Sequence, residues 1–315
     1  MNKQIKIVFM GTPEFATPIL EGLIDKYKVE LVVCQPDRKK NRKGEILIPE
    51  TKKIAIKHQI EVFQPEHVKN DYQKILEKNP DMIVTCAYGQ IIPKAILDFP
   101  KYGCINVHGS LLPELRGGAP IHWAIINGNK KTGMTIMKMS EKMDAGDIIS
   151  QEELTIEKDD ILDTLYKKMS ELGKKLLLET IPTILNNTAK YTKQDETKVT
   201  FGYNITKENE KIDFSKSKEE IRNLVRGLNS IPGSFCYLDE KRMKIYEVIP
   251  QNEKLENEKI KNGTITRIEK DGLICKCKDG YLKITDIAME GKKRCKVHDY
   301  LNGIDKNKLI GKVLK

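Results

Sequence analysis

The apolar run Cys104-Ile105-Asn106-Val107 is followed by His108-Gly109-Ser110-Leu111-Leu112-Pro113 and then by Glu114-Leu115-Arg116-Gly117-Gly118-Ala119-Pro120-Ile121. So short an apolar segment reads as a buried strand, and the Gly-, Ser- and Pro-rich segment behind it cannot continue one. The strand is expected to end at His108 or just past it. Side chains alternate along a strand, so Asn106 and His108 face one side and Val107 the other. An amide and an imidazole then share a face at a strand's carboxyl end, where open α/β sheets bind ligands. Taken alone, the pair is better explained by a strand cap and a shaped turn.

Two further features favour chemistry. Met143-Asp144-Ala145-Gly146-Asp147 sets a carboxylate in a Gly-containing turn between apolar runs, the place from which a loop acid would orient an imidazole. Ser110 to Pro120 lacks periodicity and is rich in Gly and Pro, as a binding loop over strand ends would be. Asn106, His108 and Asp144 are therefore the candidate catalytic residues: an amide donor, an imidazole and an acid suit an oxyanion with proton transfer. No Ser or Cys stands at the expected place beside the histidine, which argues for direct attack by a substrate amine rather than a covalent enzyme intermediate.

The chain around this stretch alternates strand and helix signals. Ile5 to Met10 is strand-like, Gly11-Thr12-Pro13 breaks it, and Glu14 to about Lys26 suits a helix, the opening of a doubly wound α/β fold. A single glycine precedes that helix, so the dinucleotide fingerprint is absent and NAD is not inferred. The turn there can present Phe15 to an apolar substrate group or pack it in the core. Glu30 to Cys34 reads as a second strand. Asp37-Arg38-Lys39-Lys40-Asn41-Arg42-Lys43-Gly44 then holds five basic residues among eight and is expected as a mobile, positive loop. Helical patterns follow at Glu50 to His58 and Glu66 to Lys78, and Met82 to Ala87 is a buried strand. Tyr88-Gly89-Gln90-Ile91-Ile92-Pro93 behind it forms a strand-end loop suited to a flat heteroaromatic ring. Thr135 to Met137 and Ile148-Ile149 read as strands flanking the Asp144 turn, and Ile161 to about Leu185 as a long amphipathic helix.

These elements fill a first domain over residues 1–186. Polar, aperiodic residues 187–204 read as a linker. From 205 to 315 the pattern changes to one helix near Lys218 to Gly227 and short strands at Ser234 to Leu238, Met243 to Val248, Gly263 to Ile268, Gly272 to Lys276 and Tyr281 to Ala288. Five short strands with turn residues between them predict a small OB-like β-barrel, a common nucleic-acid platform.

Charge supports that division. The chain carries a formal +10, and from residue 205 onward 25 Lys and Arg stand against 18 Asp and Glu, a surplus of seven. A polyanionic partner fits the asymmetry, as does a Lys-rich solvated face. Lys292-Lys293-Arg294, with Lys296, is the densest basic cluster of the barrel and is expected to contact phosphates without reading sequence. No run approaches the length of a membrane span, and Ile5 to Met10 is too short for a signal segment. Seven scattered cysteines do not make a secreted disulfide framework. Cys275-x-Cys277 with Cys295 and His298 has the wrong spacing for zinc, so no metal is expected. The reading is a soluble, cytoplasmic protein that stays off membranes and acts as a monomer.

Asn-x-His-x-Ser-Leu-Leu-Pro at Asn106 to Pro113, Arg-Gly-x-Ala-Pro-Ile at Arg116 to Ile121 and Asp-x-Gly-Asp at Asp144 to Asp147 resemble the formyltransferases that use 10-formyltetrahydrofolate. Phe9 to Ala16, Gln35-Pro36-Asp37-Arg38, Ala87-Tyr88-Gly89, Thr132 to Met137 and Gln194-Asp195-Glu196-Thr197 are similar to the branch acting on methionyl-tRNA, so the likeness spans nearly the whole chain. The resemblance implies a Rossmann-like formyltransferase domain followed by an OB-like barrel facing tRNA. It implies formyl transfer from 10-formyltetrahydrofolate, the donor co-substrate, to the amino group of initiator methionyl-tRNA. It places Ser110, Leu111, Leu112 and Pro113 against the folate and Tyr88, Gly89 and Ile91 near the pterin. It places Phe15 near the methionyl side chain, and Arg38, Lys39, Lys40, Arg42 and Lys43 at the acceptor end of the tRNA. The sequence departs from the family pattern at Asn41 and Lys43, where glycines are usual, at Ser230-Ile231, where a tryptophan precedes the proline, and at His122, commonly Gln. Two rival readings stay open. A formyltransferase for a small amine, such as glycinamide ribonucleotide or an amino sugar nucleotide, would have no use for the basic loop and barrel. An RNA-binding protein without catalysis would not need Asn106, His108 and Asp144 together.

Overall fold

The computed structural model describes residues 5–39, 46–253 and 259–315. They divide into two units. The first holds the described residues up to Pro120, Lys131–Thr155 and Tyr166–Tyr203; the second holds Ile121–Lys130, Ile156–Leu165 and the described residues from Asn204 onward.

In the first unit the apolar runs become strands of one sheet. β1 (Lys6–Gly11) leads through a short 3-10 turn into α1 (Thr17–Lys26), and β2 (Lys28–Val33) returns parallel to β1. β3 (Arg38–Lys39) and β4 (Ile46–Leu47) form a separate two-stranded antiparallel ribbon, followed by α2 (Glu50–Lys57), β5 (Val62–Phe63) and α3 (Gln73–Glu77). Next come β6 (Met82–Cys86), α4 (Lys94–Leu97), β7 (Cys104–His108), α5 (Pro120–Ile126), β8 (Lys131–Lys138), β9 (Ile148–Thr155) and the long α6 (Leu162–Leu185). The strand order is β5-β2-β1-β6-β7-β8-β9, with the first five parallel and β8 and β9 antiparallel. β6 is buried at every position, as a strand covered on both faces must be, whereas the outer half of β9 alternates and serves as an edge.

Chain order reverses between β1 and β6, so the carboxyl ends of β1, β6 and β7 lie side by side where such sheets open a ligand crevice. The strands approach closely there: a Cβ on Gly11 would lie 2.7 Å from the Cys86 carbonyl.

Two expectations are corrected in this unit. The helix expected over Glu66 to Lys78 shortens to α3, because the Gln90 side chain accepts from Val68 N–H and donates to the Pro65 and Glu66 carbonyls, holding the preceding segment as a turn. The stretch expected as a linker is largely part of the unit. Thr192 pairs with Ile148 and Phe201 with Arg116, so residues up to Tyr203 are held by backbone hydrogen bonds. Polar, aperiodic sequence looks alike whether its groups meet water or other backbone.

The second unit is antiparallel. α7 (Lys207–Glu210) and α8 (Lys218–Gly227) precede β10 (Ser234–Leu238), β11 (Lys241–Pro250), β12 (Ile265–Glu269), β13 (Gly272–Cys277), β14 (Gly280–Met289), β15 (Cys295–Lys296) and α9 (Val297–Leu301). The sheet runs β10-β11-β14-β13-β12, with β15 on β14. A capping box of Ser217 and Glu220 starts α8, whose Ile221 and Val225 join the barrel core of Met243, Ile245, Leu273, Leu282, Ile284 and Ile287. Residues 311–315 link the two outer strands: Gly311, Lys312 and Leu314 bond to Ile265 and Gly263 beside β12, and Lys315 exchanges two hydrogen bonds with Tyr237 on β10. Cys275 and Cys277 are buried in the core, and burial pushes both thiols up. Among the described residues no cluster of His, Cys, Asp and Glu is arranged to hold a metal, and no helix is long and apolar enough to cross a membrane.

Candidate active site

β7 delivers Asn106 and His108 to one face, and the turn between β8 and β9 brings Asp144 to them. Asn106 Nδ2 lies 3.5 Å and His108 Nδ1 3.7 Å from the same Asp144 oxygen, Oδ1. The other oxygen, Oδ2, accepts from Gly117 N–H at 2.8 Å. Thr85 Oγ1 on β6 donates to Asn106 Oδ1 at 2.8 Å, which fixes the amide with its N–H side toward the acid. Asp144 holds a left-handed backbone, φ 49°, which a short polar side chain tolerates. Nearby, a Cβ on Gly146 would fall 1.7 Å from the Lys138 carbonyl, so only glycine passes there.

His108 is 5 % exposed and lies beneath the loop that follows its strand. Its Nε2 is 3.1 Å from the Leu115 carbonyl, which can only accept, so Nε2 carries a hydrogen and Nδ1 faces the acid. For His108 to donate to an oxyanion, Nε2 must exchange the Leu115 carbonyl for the substrate oxygen.

The acid turn is held by residues outside the expected catalytic set. Gln194 Nε2 donates to the carbonyls of Asp144 and Gly146 at 2.8 and 2.7 Å. Arg116, 4 % exposed, directs Nε and Nη2 to Gln194 Oε1 and Nη1 and Nη2 to Glu196. That hydrogen bond holds the Glu196 carboxyl below the usual range. Arg116 and Gln194 both stand in motifs quoted above; an arginine inside a Gly- and Pro-rich loop was the available signal that a buried acceptor awaited it.

Ser110 to Pro113 is pinned rather than loose. Thr135 Oγ1 donates to the Ser110 carbonyl at 2.6 Å and accepts from Leu112 N–H, and Gln151 Nε2 donates to the Leu112 carbonyl at 2.8 Å. Ser110 and Leu112 are buried, while Leu111 and Pro113 are half-buried. Tyr88 is 4 % exposed. Its ring sits in the apolar cluster with Val8, Met10 and Ile83, its hydroxyl finds no partner among the described residues, and burial pushes the phenol up. Gly89 is exposed with φ 86°, and Ile91 is 83 % exposed, an apolar side chain left uncovered beside the end of β6.

Phe15 is half-buried against Tyr166, ring centroids 5.5 Å apart, and Ser170 Oγ donates to its carbonyl. Arg38 is exposed at the start of β3. Lys39 contributes its backbone to β3, and Lys40, Arg42 and Lys43 lie outside the described residues. In the second unit Lys292 and Lys293 are exposed. Arg294 is engaged: it makes a two-pronged bond to Asp286, at 2.9 and 3.1 Å, and lies 4.2 Å over the Tyr246 ring, while Lys296 pairs with Glu247 and Asp286.

Residues 5–181 match the formyl transferase family and residues 204–305 the formyl transferase C-terminal domain. The methionyl-tRNA formyltransferase of Malacoplasma penetrans is 46 % identical over 314 residues, covering 99 % of this chain and 98 % of its own. That of Bacillus subtilis is 47 % identical over 308 residues, 95 % of this chain and 94 % of its own. An N-formyltransferase from Helicobacter canadensis, solved with folinic acid and dTDP-3-aminofucose, superposes with a TM-score of 0.67 at 21 % identity, covering 89 % of this chain and 98 % of that one, and so shares the fold. With its barrel, its sheet-end cluster and 46–47 % identity to these relatives over nearly its full length, the chain belongs to the methionyl-tRNA formyltransferase family.

Proposed function

We propose that the chain transfers the formyl group of 10-formyltetrahydrofolate to the free amino group of methionyl initiator tRNA. The observation that carries the reading is the meeting of Asn106 and His108 about one oxygen of Asp144. The attacking amine bonds to the formyl carbon and pushes the carbonyl electron pair onto oxygen. Asn106 has a second N–H for that oxygen, and His108 Nε2–H reaches it by leaving the Leu115 carbonyl. The proton shed by the amine passes to the pair of Asp144 and His108 Nδ1, two acceptors that attract each other only with a proton between them. The carbon–nitrogen bond to the folate then breaks, and that nitrogen takes the proton, so none is gained or lost overall.

The folate has suitable neighbours. Half-buried Leu111 and Pro113 sit on a loop fixed by Thr135 and Gln151, and exposed Ile91 and Gly89 offer apolar surface and backbone beside it. Exposed Arg38, Lys292 and Lys293 serve tRNA phosphates, and Phe15 lines the methionyl side chain.

The test is formyl transfer by the purified chain from 10-formyltetrahydrofolate to methionyl initiator tRNA, run beside a gel shift with charged and uncharged tRNA. Folate-dependent formation of N-formylmethionyl-tRNA is expected. A shift of tRNA without transfer would leave only an RNA-binding protein, and transfer confined to small amines would replace the substrate.

A further inference from the structure

Phe201 and Tyr203 form the parallel aromatic stack of the described surface: ring centroids 5.2 Å apart, planes within 3°, and residues 46 % and 60 % exposed. Two positions apart on extended backbone, they share a face. The pair of buried Phe235 and exposed Tyr237, by contrast, meets edge to face. Stacked rings left this open to water are what a surface offers to a third flat group.

Their backbone is fixed. Gly202, between them, donates to the Arg116 carbonyl at 2.8 Å and accepts from Ala119 N–H at 2.9 Å. Gly117 fits under this pairing only without a side chain, since its Cβ would lie 2.8 Å from the Gly202 carbonyl. The same Gly117 gives its N–H to Asp144. The aromatic pair and the acid are thus held by one short loop.

Chemistry says what should come there. In an aminoacyl-tRNA the amino acid is esterified to the ribose of the last nucleotide. The base on that ribose must arrive within one nucleotide of the groups that act on the amine. It is unpaired, so both of its faces are free, and proteins take such bases by stacking them on aromatic rings. We propose that Phe201 and Tyr203 are the platform on which the terminal base of the tRNA stacks, positioning the ester-linked amine at Asp144. This rests on the tRNA reading above and adds the binding residues for the acceptor end.

The test uses methionyl-tRNA whose terminal adenine is replaced by 2-aminopurine, whose emission falls on stacking, together with steady-state formylation. The wild-type chain quenches the probe, and the double variant Phe201→Ala, Tyr203→Ala does not. The KM for tRNA rises roughly five- to 150-fold in that variant. The KM for 10-formyltetrahydrofolate stays the same, which shows the folate side still formed. Phe201→Tyr retains quenching and low KM, whereas Phe201→Leu loses both. Quenching and KM within twofold of wild type in the double variant, or equal behaviour of the Tyr and Leu variants, would overturn the platform while leaving the transferase intact. Failure of the wild type to formylate methionyl-tRNA at all would instead overturn the reading on which it rests.

Discussion

Thr85 shows how much of the site depends on a buried residue behind the candidate catalytic groups. Its hydroxyl fixes the Asn106 amide by donating to Oδ1 at 2.8 Å, so that the amide nitrogen faces Asp144. With Thr85→Val the shape is kept and that constraint is lost. The turnover number is expected to fall on the order of five- to tenfold, the worth of about one hydrogen bond, with both KM values unchanged. Steady-state kinetics with each substrate varied separately checks this; a rise in KM without loss of turnover would make Thr85 a binding residue instead. At this scale the sequence was informative where strand alternation applies. Asn106 and His108 had to share a face, and the acid was found by its turn. It was silent on His108's partners, because the Leu115 carbonyl reaches Nε2 only once the following loop folds back. It was also silent on the packing of the Tyr88 ring, since an aromatic residue after a buried strand reads equally as pocket lining and as core.

Among the elements, the segment from Gln194 to Gly202 matters most to the site. Gln194 clamps the carbonyls on either side of Ala145, Arg116 clamps Gln194, and Gly202 pairs with the Arg116 loop. Gln194→Ala removes both clamps on the acid turn and leaves Arg116 with Glu196 alone. The expected outcome is a ten- to hundredfold loss of turnover, roughly the cost of removing an outer partner from an active group, with tRNA affinity within about twofold. Rapid-quench formylation beside tRNA titration measures the two separately, and loss of both together would point to unfolding of the segment. The main strands and the long helix were legible because an apolar run with Gly or Pro behind it has few alternatives. This clamp was not, nor was the link made by residues 311–315. Both are stretches whose structure lies in backbone bonds to distant partners rather than in their own periodicity.

For the whole molecule, acid is the informative variable. His122, on α5, is the histidine whose charge folding opposes most clearly: burial holds it down to about 4, against an ordinary 6.5. The unfolded chain therefore binds that proton first. Stability from His122 is complete above about pH 6.5 and is lost as pH falls from there toward 4. Urea midpoints taken from about pH 7 to about pH 5 should decline in the wild type and decline less in His122→Gln. Equal slopes would mean that His122 is solvated in the folded protein. The reaction itself offers the sharpest check on the account, through the single-turnover rate of formyl transfer with enzyme and both substrates saturating. Asn106→Ala and His108→Ala should each lower that rate by about a hundredfold or more, the cost of one oxyanion donor, while the dissociation constant for methionyl-tRNA stays within about twofold. A near wild-type rate in either variant would contradict the roles given to Asn106 and His108.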